Sequence, residues 1–408
     1  MKVLVLSQYY DPEPVPKAAE LACALRDGGH SVRAITGFPN YPAGKLYDGY
    51  RLALMRSEEI DGIPVTRTFE YPYHGSSVFK RLINFWSFAF SAPLASLRMP
   101  RPDVMYVWHP PLSVGVAAWL ISIFRRVPFV YDVQDIWPES ALVTGMLRDG
   151  FMVRAMYRLE RFIYRRAAHI LVVTEGARQN LIAKGVASEK VSVMHHWIDE
   201  GIFDGTRPGD RDAMRAERGW SSDFVVLFAG NIGLMQGLDT VVRAAAELRD
   251  GEKIRFVFVG DGADRDRLRA LATELGVNDR VEFVDRQPMS EMPRFMAAAD
   301  VLLVHLKRSD LCAWVIPTKT LAYLAAGRPI VMAMEGAAAD LVAQAGAGTV
   351  VPPDEPKGLA DEVRRIAALP EKDREAYGAA GKAFLQRTMT KARVIPQYEE
   401  ILRKVARQ

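Results

Sequence analysis

A chain of 408 residues exceeds one ordinary hydrophobic core and suits two domains of about 100 to 200 residues each. Its 49% hydrophobic and 25% charged residues are those of a folded protein and exclude a long disordered region. A net charge of +4 is too mild for a nucleic-acid surface, and the two cysteines, Cys23 and Cys312, stand too far apart for metal-ligand spacing, which excludes a disulfide framework and suits a reducing cytoplasm.

The chain opens on a strand pattern with no basic start, apolar run and cleavage site, so retention inside the cell is expected. Short apolar runs at 3–6, 31–36, 104–108, 129–132, 170–174 and 191–194 read as buried parallel strands. Between the first two, 17–28 carries Ala18, Leu21, Ala22 and Leu25 at helical spacing and stops at Gly28-Gly29, which completes a βαβ unit. The segment 205–212, rich in Gly, Pro and charge, reads as a linker. The pattern then restarts, with strands at 224–229, 255–260, 281–284, 301–305, 329–333 and 348–351 and helices at 238–249, 264–275 and 291–298. The prediction is an α/β chain of two doubly wound Rossmann-like domains facing a cleft, closed by a helix over 391–407.

Two segments point to phosphate. Gly230-Asn231-Ile232-Gly233 follows a strand and precedes a helix, where bare backbone N–H groups can approach an anion; a tight turn that simply needs glycine reads equally well. Pro317-Thr318-Lys319-Thr320 opens an apolar helix ending at Gly327. Lys319 there faces the positive end of the helix dipole, an unfavourable place that a bound anion would make favourable. Gly260-Asp261-Gly262 is read as turn chemistry, with no second carboxylate spaced to share a metal, and no catalytic metal is expected.

These strings resemble glycosyltransferase family 4, the retaining GT-B enzymes, most closely the bacterial subgroup of N-acetyl-fucosamine transferases in O-antigen and capsule synthesis. The carriers are 8–14 (QYYDPEP), 36–42 (TGFPNYP), 110–112 (PPL), 134–140 (QDIWPES), 228–233 (FAGNIG) with Gln236-Gly237, Pro317-Thr318-Lys319 and 323–327 (YLAAG). The resemblance implies a GT-B fold with an acceptor domain over 1–204, a nucleotide-sugar domain over 205–388 and a C-terminal helix, 389–408, returning to the first domain. It implies transfer of a hexosyl or N-acetylaminosugar group from a nucleotide-diphosphate sugar, with retention and without metal or other cofactor, to a lipid-linked saccharide in surface polysaccharide (O-antigen, lipopolysaccharide) synthesis. The departing diphosphate would help deprotonate the acceptor.

On that resemblance Gly230, Asn231, Gly233, Gln236, Thr318, Lys319 and Thr320 bind the donor, and Pro14, Lys17 and Glu20 the acceptor. His109, at the end of a strand, and Asp135, just past the next one, are the candidate catalytic residues; a structural hydrogen bond for His109 and a cap of a helix over 137–142 for Asp135 are the plainer readings. The chain departs from the family at its N-terminal glycine-rich acceptor loop, replaced here by 13–17 (EPVPK), and at four positions of the second half. Asn231 and Gln236 are neutral where a basic pair usually holds the diphosphate, and Trp314 and Ala322 stand where two glutamates are usual.

From 78 to 123 the chain is rich in Phe, Trp and Leu and punctuated by Lys80, Arg81, Arg98 and Arg101, and 152–166 adds Arg154, Arg158, Arg161, Arg165 and Arg166. Neither 82–97 nor 112–124 reaches the roughly 20 apolar residues of a membrane span. The mixture suits helices lying on the anionic inner leaflet of the cell membrane, giving a cytoplasmic protein peripherally attached. Two other functions share this pattern, a sugar-nucleotide epimerase of GT-B architecture and a weakened sugar-nucleotide-binding partner protein.

Overall fold

Strand-length apolar runs bounded by Gly and Pro cannot cover their own edges, and here they are buried in two parallel sheets. The computed structural model describes residues 1–75, 77–143, 147, 149–198, 209–249 and 251–407, without the side chain of residue 313. The chain divides into two compact units, Met1–His195 with Val394–Gln408, and His196–Arg393.

The first unit holds β1 (Lys2–Leu6), β2 (Ser31–Thr36), β3 (Met55–Ile60), β4 (Ile63–Thr68), β5 (Val104–His109), β6 (Phe129–Val133), β7 (His169–Val172) and β8 (Val191–Val193). Their order across the sheet is β3-β4-β2-β1-β5-β6-β7-β8. All neighbours are parallel except β3 and β4, an antiparallel hairpin. The sequence reading passed over that hairpin because β3, MRSEEI, has no buried apolar face; its turn was nevertheless in view, since Asp61 and Gly62 take φ of 48° and 70°, the two left-handed positions of a tight Asp-Gly hairpin. Every residue of β5 and β6 is buried, as strands covered on both faces must be. The C-terminal helix Lys391–Ala406 packs on this unit through Tyr398, whose hydroxyl donates to Asp132 Oδ2 at 3.3 Å, and through Glu399, 2.9 Å from the His30 ring.

The second unit holds β9 (Phe224–Ala229), β10 (Ile254–Val259), β11 (Val281–Val284), β12 (Val301–His305), β13 (Ile330–Ala333) and β14 (Gly348–Val351), all parallel, in the order β11-β10-β9-β12-β13-β14. Its core packs Phe228, Phe256 and Phe258 against Leu238, Val241 and Leu268 of the covering helices. The linker read over 205–212 is corrected in part. Residues 205–208, and with them the boundary drawn at 204, lie outside the described residues, whereas Asp210 starts the helix Asp210–Arg218 and the two acidic residues of its first turn, Asp210 and Asp212, favour that N-terminus. No helix among the described residues is long and apolar enough to cross a membrane.

Candidate active site

In an open parallel sheet the strand order reverses at one point, and the loops leaving the carboxyl ends of the two strands there diverge and leave a crevice. In the second unit this point lies between β9 and β12. Gly230 follows β9, His305 ends β12, and Lys319 comes in from the helix Thr318–Ala326. Gly230 takes φ 134°, and a Cβ added to it would lie 3.4 Å from Lys319 Nζ, so the ammonium rests directly on bare backbone. The same ammonium stands 3.6 Å from the centroid of the Phe228 ring and donates to Gln236 Oε1 at 2.8 Å.

Among the described residues Lys319 makes no ion pair with a carboxylate, and burial pushes its ammonium down from the usual 10.5 to about 7. A cation so placed is stabilised by an anion more than by water. The helix start adds donors: Pro317 has no N–H, Thr320 N is taken by the Pro317 carbonyl at 2.9 Å, and the N–H groups of Thr318 and Lys319 keep no protein partner among the described residues. Thr320 Oγ1 is buried without a partner beside them.

One neighbour, His305, escaped the sequence reading, and another, Gly260, was read only as turn chemistry. The Gln236 carbonyl lies 2.7 Å from His305 Nδ1, which makes Nδ1 the donor and leaves a buried, unpartnered Nε2 as acceptor, with burial lowering the ring's pKa. Gly260 explains the close approach of the turns, because a Cβ on it would lie 2.0 Å from the Gly230 carbonyl. Asn231 is turned away onto the glycines; its Nδ2 would be 2.8 Å from a Cβ on Gly233. Gly230, Gln236, Thr318, Lys319 and Thr320 therefore converge, and the Asn231 side chain does not join Lys319. Asp261 accepts from Gly262 N at 2.8 Å, closing its own turn.

In the first unit the switch point lies between β1 and β5. His109 ends β5, is buried, keeps Nδ1 without a partner, and is held neutral by burial, which lowers it to about 3. Its ring meets Tyr131 edge-on at 5.7 Å. Asp135 lies two residues past β6, and the next helix begins only at Glu139, so Asp135 is not its cap; burial raises its carboxyl. Lys17 and Glu20 sit 3.6 Å from each other on the first helix, and Pro14 is exposed.

A polar cluster at this edge was not predicted, although the strings 8–14 and 36–42 contain all of it but Glu70 and His74. Glu13 accepts backbone N–H groups of Tyr10 at 3.1 Å and of Asn40 and Tyr41 at 2.8 Å, which ties the loop after β1 to the loop after β2. Glu70, past β4, takes the Asn40 amide on one oxygen and leaves the other unpartnered. Burial, then the nearby Glu13, raises the Glu70 carboxyl well above its usual range. The rings of Tyr9, Tyr41 and His74 close over the cluster with centroids 5.1 to 5.8 Å apart. The signal available was a lone carboxylate directly after a strand in the proline- and aromatic-rich stretch 69–74.

The helix Val78–Ser96 is apolar on its outer face as well as its inner one. Phe79, Ile83, Phe90 and Leu94 follow each other at helical spacing, with Phe79 72% and Leu94 61% exposed. Ile123 and Phe124 add to the exposed apolar surface from the helix Ser113–Arg125, and Trp119 of that helix meets Phe162 of Phe151–Arg166 edge-on at 4.8 Å.

Two family models divide the chain as the sheets do. Residues 14–197 match a glycosyl transferase 4-like domain and residues 210–384 match the glycosyl transferases group 1. The chain belongs to the family 4 glycosyltransferases of GT-B fold, and it is a transferase by that membership. WcaI of Escherichia coli (strain K12), a glycosyl transferase named for colanic acid biosynthesis, is 28% identical over 98% of both chains. WbjE of Pseudomonas aeruginosa, a glycosyltransferase by name, is 29% identical over 74% of both. Among solved structures, Anabaena Alr3699/HepE in complex with UDP superposes with a TM-score of 0.76 at 19% identity, covering 99% of this chain and all of that one. A sucrose-phosphate synthase of Thermosynechococcus elongatus gives 0.78 at 17%, covering 99% and 98%.

Proposed function

We propose that this chain is a retaining, metal-independent glycosyltransferase that moves a sugar from a nucleoside-diphosphate donor to a lipid-linked saccharide in bacterial surface polysaccharide synthesis, at the cytoplasmic face of the cell membrane. The observation that carries this reading is the buried Lys319 ammonium, set against the bare backbone of Gly230 at a switch point and flanked by two N–H groups of a helix start that keep no protein partner among the described residues. In the proposed reaction the anomeric C–O bond to the diphosphate breaks, and negative charge builds on the leaving oxygens. Lys319 and the N–H groups of Thr318 and Lys319 lie where they would stabilise that charge at little reorganisation cost. Neutral His109 and the buried Asp135, at the carboxyl edge of the first sheet, are the residues proposed to act on the acceptor. No group of three or more His, Cys, Asp or Glu among the described residues is arranged to hold a metal. The names WcaI and WbjE carry favour transfer over epimerisation, and WcaI's supports the polysaccharide setting.

A thermal-shift panel of nucleoside diphosphates and their sugars tests the reading, since a ligand of the folded state raises its stability by about 2.7 kcal/mol at a hundred times its Kd. UDP is the first probe, because the neighbour above was solved with it. No shift with any member of the panel would overturn the proposal.

A further inference from the structure

Beside the polar cluster of the first unit lies a cavity of about 130 Å³, close to the roughly 150 Å³ apolar cavity that takes up benzene. Its walls are Leu82, Phe85 and Trp86 on one side and Met152, Met156 and Leu159 on another. Among the described residues that line it, Arg81 is the one charged side chain and Ser113 the one hydroxyl. Ser113 is 6% exposed, and its Oγ has no partner among the described residues. It opens the 13-residue helix Ser113–Arg125, whose first turn contains no acidic residue, so the positive end of that helix faces the same space. The Arg81 guanidinium stands 5.9 Å from the Phe85 ring. Its charge also reaches the polar cluster, where burial first and Arg81 second hold His74 down to about 4. The cavity thus combines apolar walls sized for a short stretch of hydrocarbon with groups suited to an anion, Arg81, Ser113 Oγ and the helix start.

We propose that this cavity binds the phosphate and the first carbons of the chain of a phosphorylated lipid, with Arg81, Ser113 Oγ and the helix start on the phosphate and Leu82, Trp86, Met156 and Leu159 around the chain. The ligand is the lipid of the acceptor, so the assignment rests on the lipid-linked reading above. Such a chain is far longer than the cavity, and its remainder would run onto the exposed stripe of Phe79, Ile83, Phe90 and Leu94. Arg81 then joins the two halves of the acceptor, chain in the cavity and saccharide toward Tyr9, Tyr41 and His74.

The test is calorimetric titration of the full chain, without vesicles, with geranyl phosphate, geraniol and inorganic phosphate. Geranyl phosphate is expected to saturate at one site per chain and to bind at least about tenfold more tightly than either fragment. Arg81→Gln and Ser113→Ala should each weaken geranyl phosphate about tenfold and leave geraniol unchanged, and Leu159→Trp should abolish both, with near-ultraviolet dichroism confirming that the variants fold. Unsaturable uptake, inorganic phosphate binding as tightly as geranyl phosphate, or an unaltered titration in Arg81→Gln would overturn it. The readout needs no donor, so saturable geranyl phosphate binding with no shift from any member of the nucleotide panel would overturn the donor-site reading and leave the cavity as a site for a phosphorylated lipid, no longer tied to an acceptor.

Discussion

The Lys319 ammonium donates to the Gln236 side-chain oxygen at 2.8 Å, and a neutral amide is what holds a buried cation in place. An amide leaves the positive charge uncancelled, so the anion's share of the site stays open. It follows that Lys319→Ala should weaken UDP binding by about ten- to a hundredfold, the range for losing a charge-assisted hydrogen bond. Asn231→Ala, whose side chain lies over Gly233, should change it less than about threefold. Equal losses in a titration of the two variants would place the diphosphate elsewhere.

The same geometry sets a pH dependence. Free Lys319 titrates at about 7, and a diphosphate beside it returns it toward its ordinary 10.5. UDP binding should therefore take up a proton between these values, so affinity falls as pH rises above 7 and is flat with respect to this group below 7. The fold has the opposite slope: the unfolded chain holds the proton that the free folded site lacks, so without ligand this group makes stability rise with pH through the same window. Lys319→Met should abolish both dependences, and measurements of Kd and Tm from pH 6 to 9 check them. A pH-dependent affinity unchanged in Lys319→Met would assign the titration to another group.

What could be read in advance was what leaves a local signature. Buried parallel strands are continuous apolar runs, and a lysine in the first turn of the helix at Thr318 is conspicuous because its charge has the wrong sign for that place. The hairpin of β3 and β4 was lost because an edge strand has no apolar period to show. Gln236, His305 and Lys319 meet only because β9 and β12 are neighbours across a crossover, and no spacing in the chain encodes that. The cluster of Glu13, Asn40 and Glu70 is of the same kind, drawn from loops after three strands.

Glu70 is a buried carboxyl whose pKa is raised well above its ordinary value, by burial first and by the nearby Glu13 second. A folded pKa raised above the ordinary 4.5 means that the unfolded chain loses its proton first, so this group takes stability away as pH rises from about 4.5 toward the folded value. Glu70→Gln keeps the shape and removes the titration. Its Tm should exceed that of the unaltered chain at pH 7 and match it near pH 4. A lower Tm at pH 7 would show that the carboxylate is charged and stabilising there.

Close approach of the two turns depends on one missing atom. A Cβ at Gly260 would lie 2.0 Å from the Gly230 carbonyl, and Gly260 takes φ 144°, which disfavours any side chain. Gly260→Ala must push β9 and β10 apart at their carboxyl ends, just beneath Lys319. The expected cost is about 3 kcal/mol or more, read as a fall in the denaturant midpoint, with loss of UDP binding. Gly276→Ala is the control, since it also has a positive φ, 69°, but nothing within 4 Å of the added carbon. Similar costs at the two positions would mean that backbone strain, and not the contact between turns, dominates.

Peripheral membrane attachment makes a separable electrostatic claim. Arg161, Arg165 and Arg166 are exposed on the helix Phe151–Arg166, with the Arg166 guanidinium 5.4 Å from the Phe162 ring. Each basic residue near an anionic surface contributes about 1 kcal/mol, so replacing all three by Ala should weaken partition onto anionic vesicles about a hundredfold. Partition onto neutral vesicles, driven by Phe79, Phe90 and Leu94, should change little. Raising the salt to about 1 M shortens the screening length to about 3 Å and should bring the unaltered chain down to the level of the triple variant. If restoring the three arginines recovers no partition onto anionic vesicles at low salt, the basic face has another purpose and the exposed apolar stripe alone must account for any attachment.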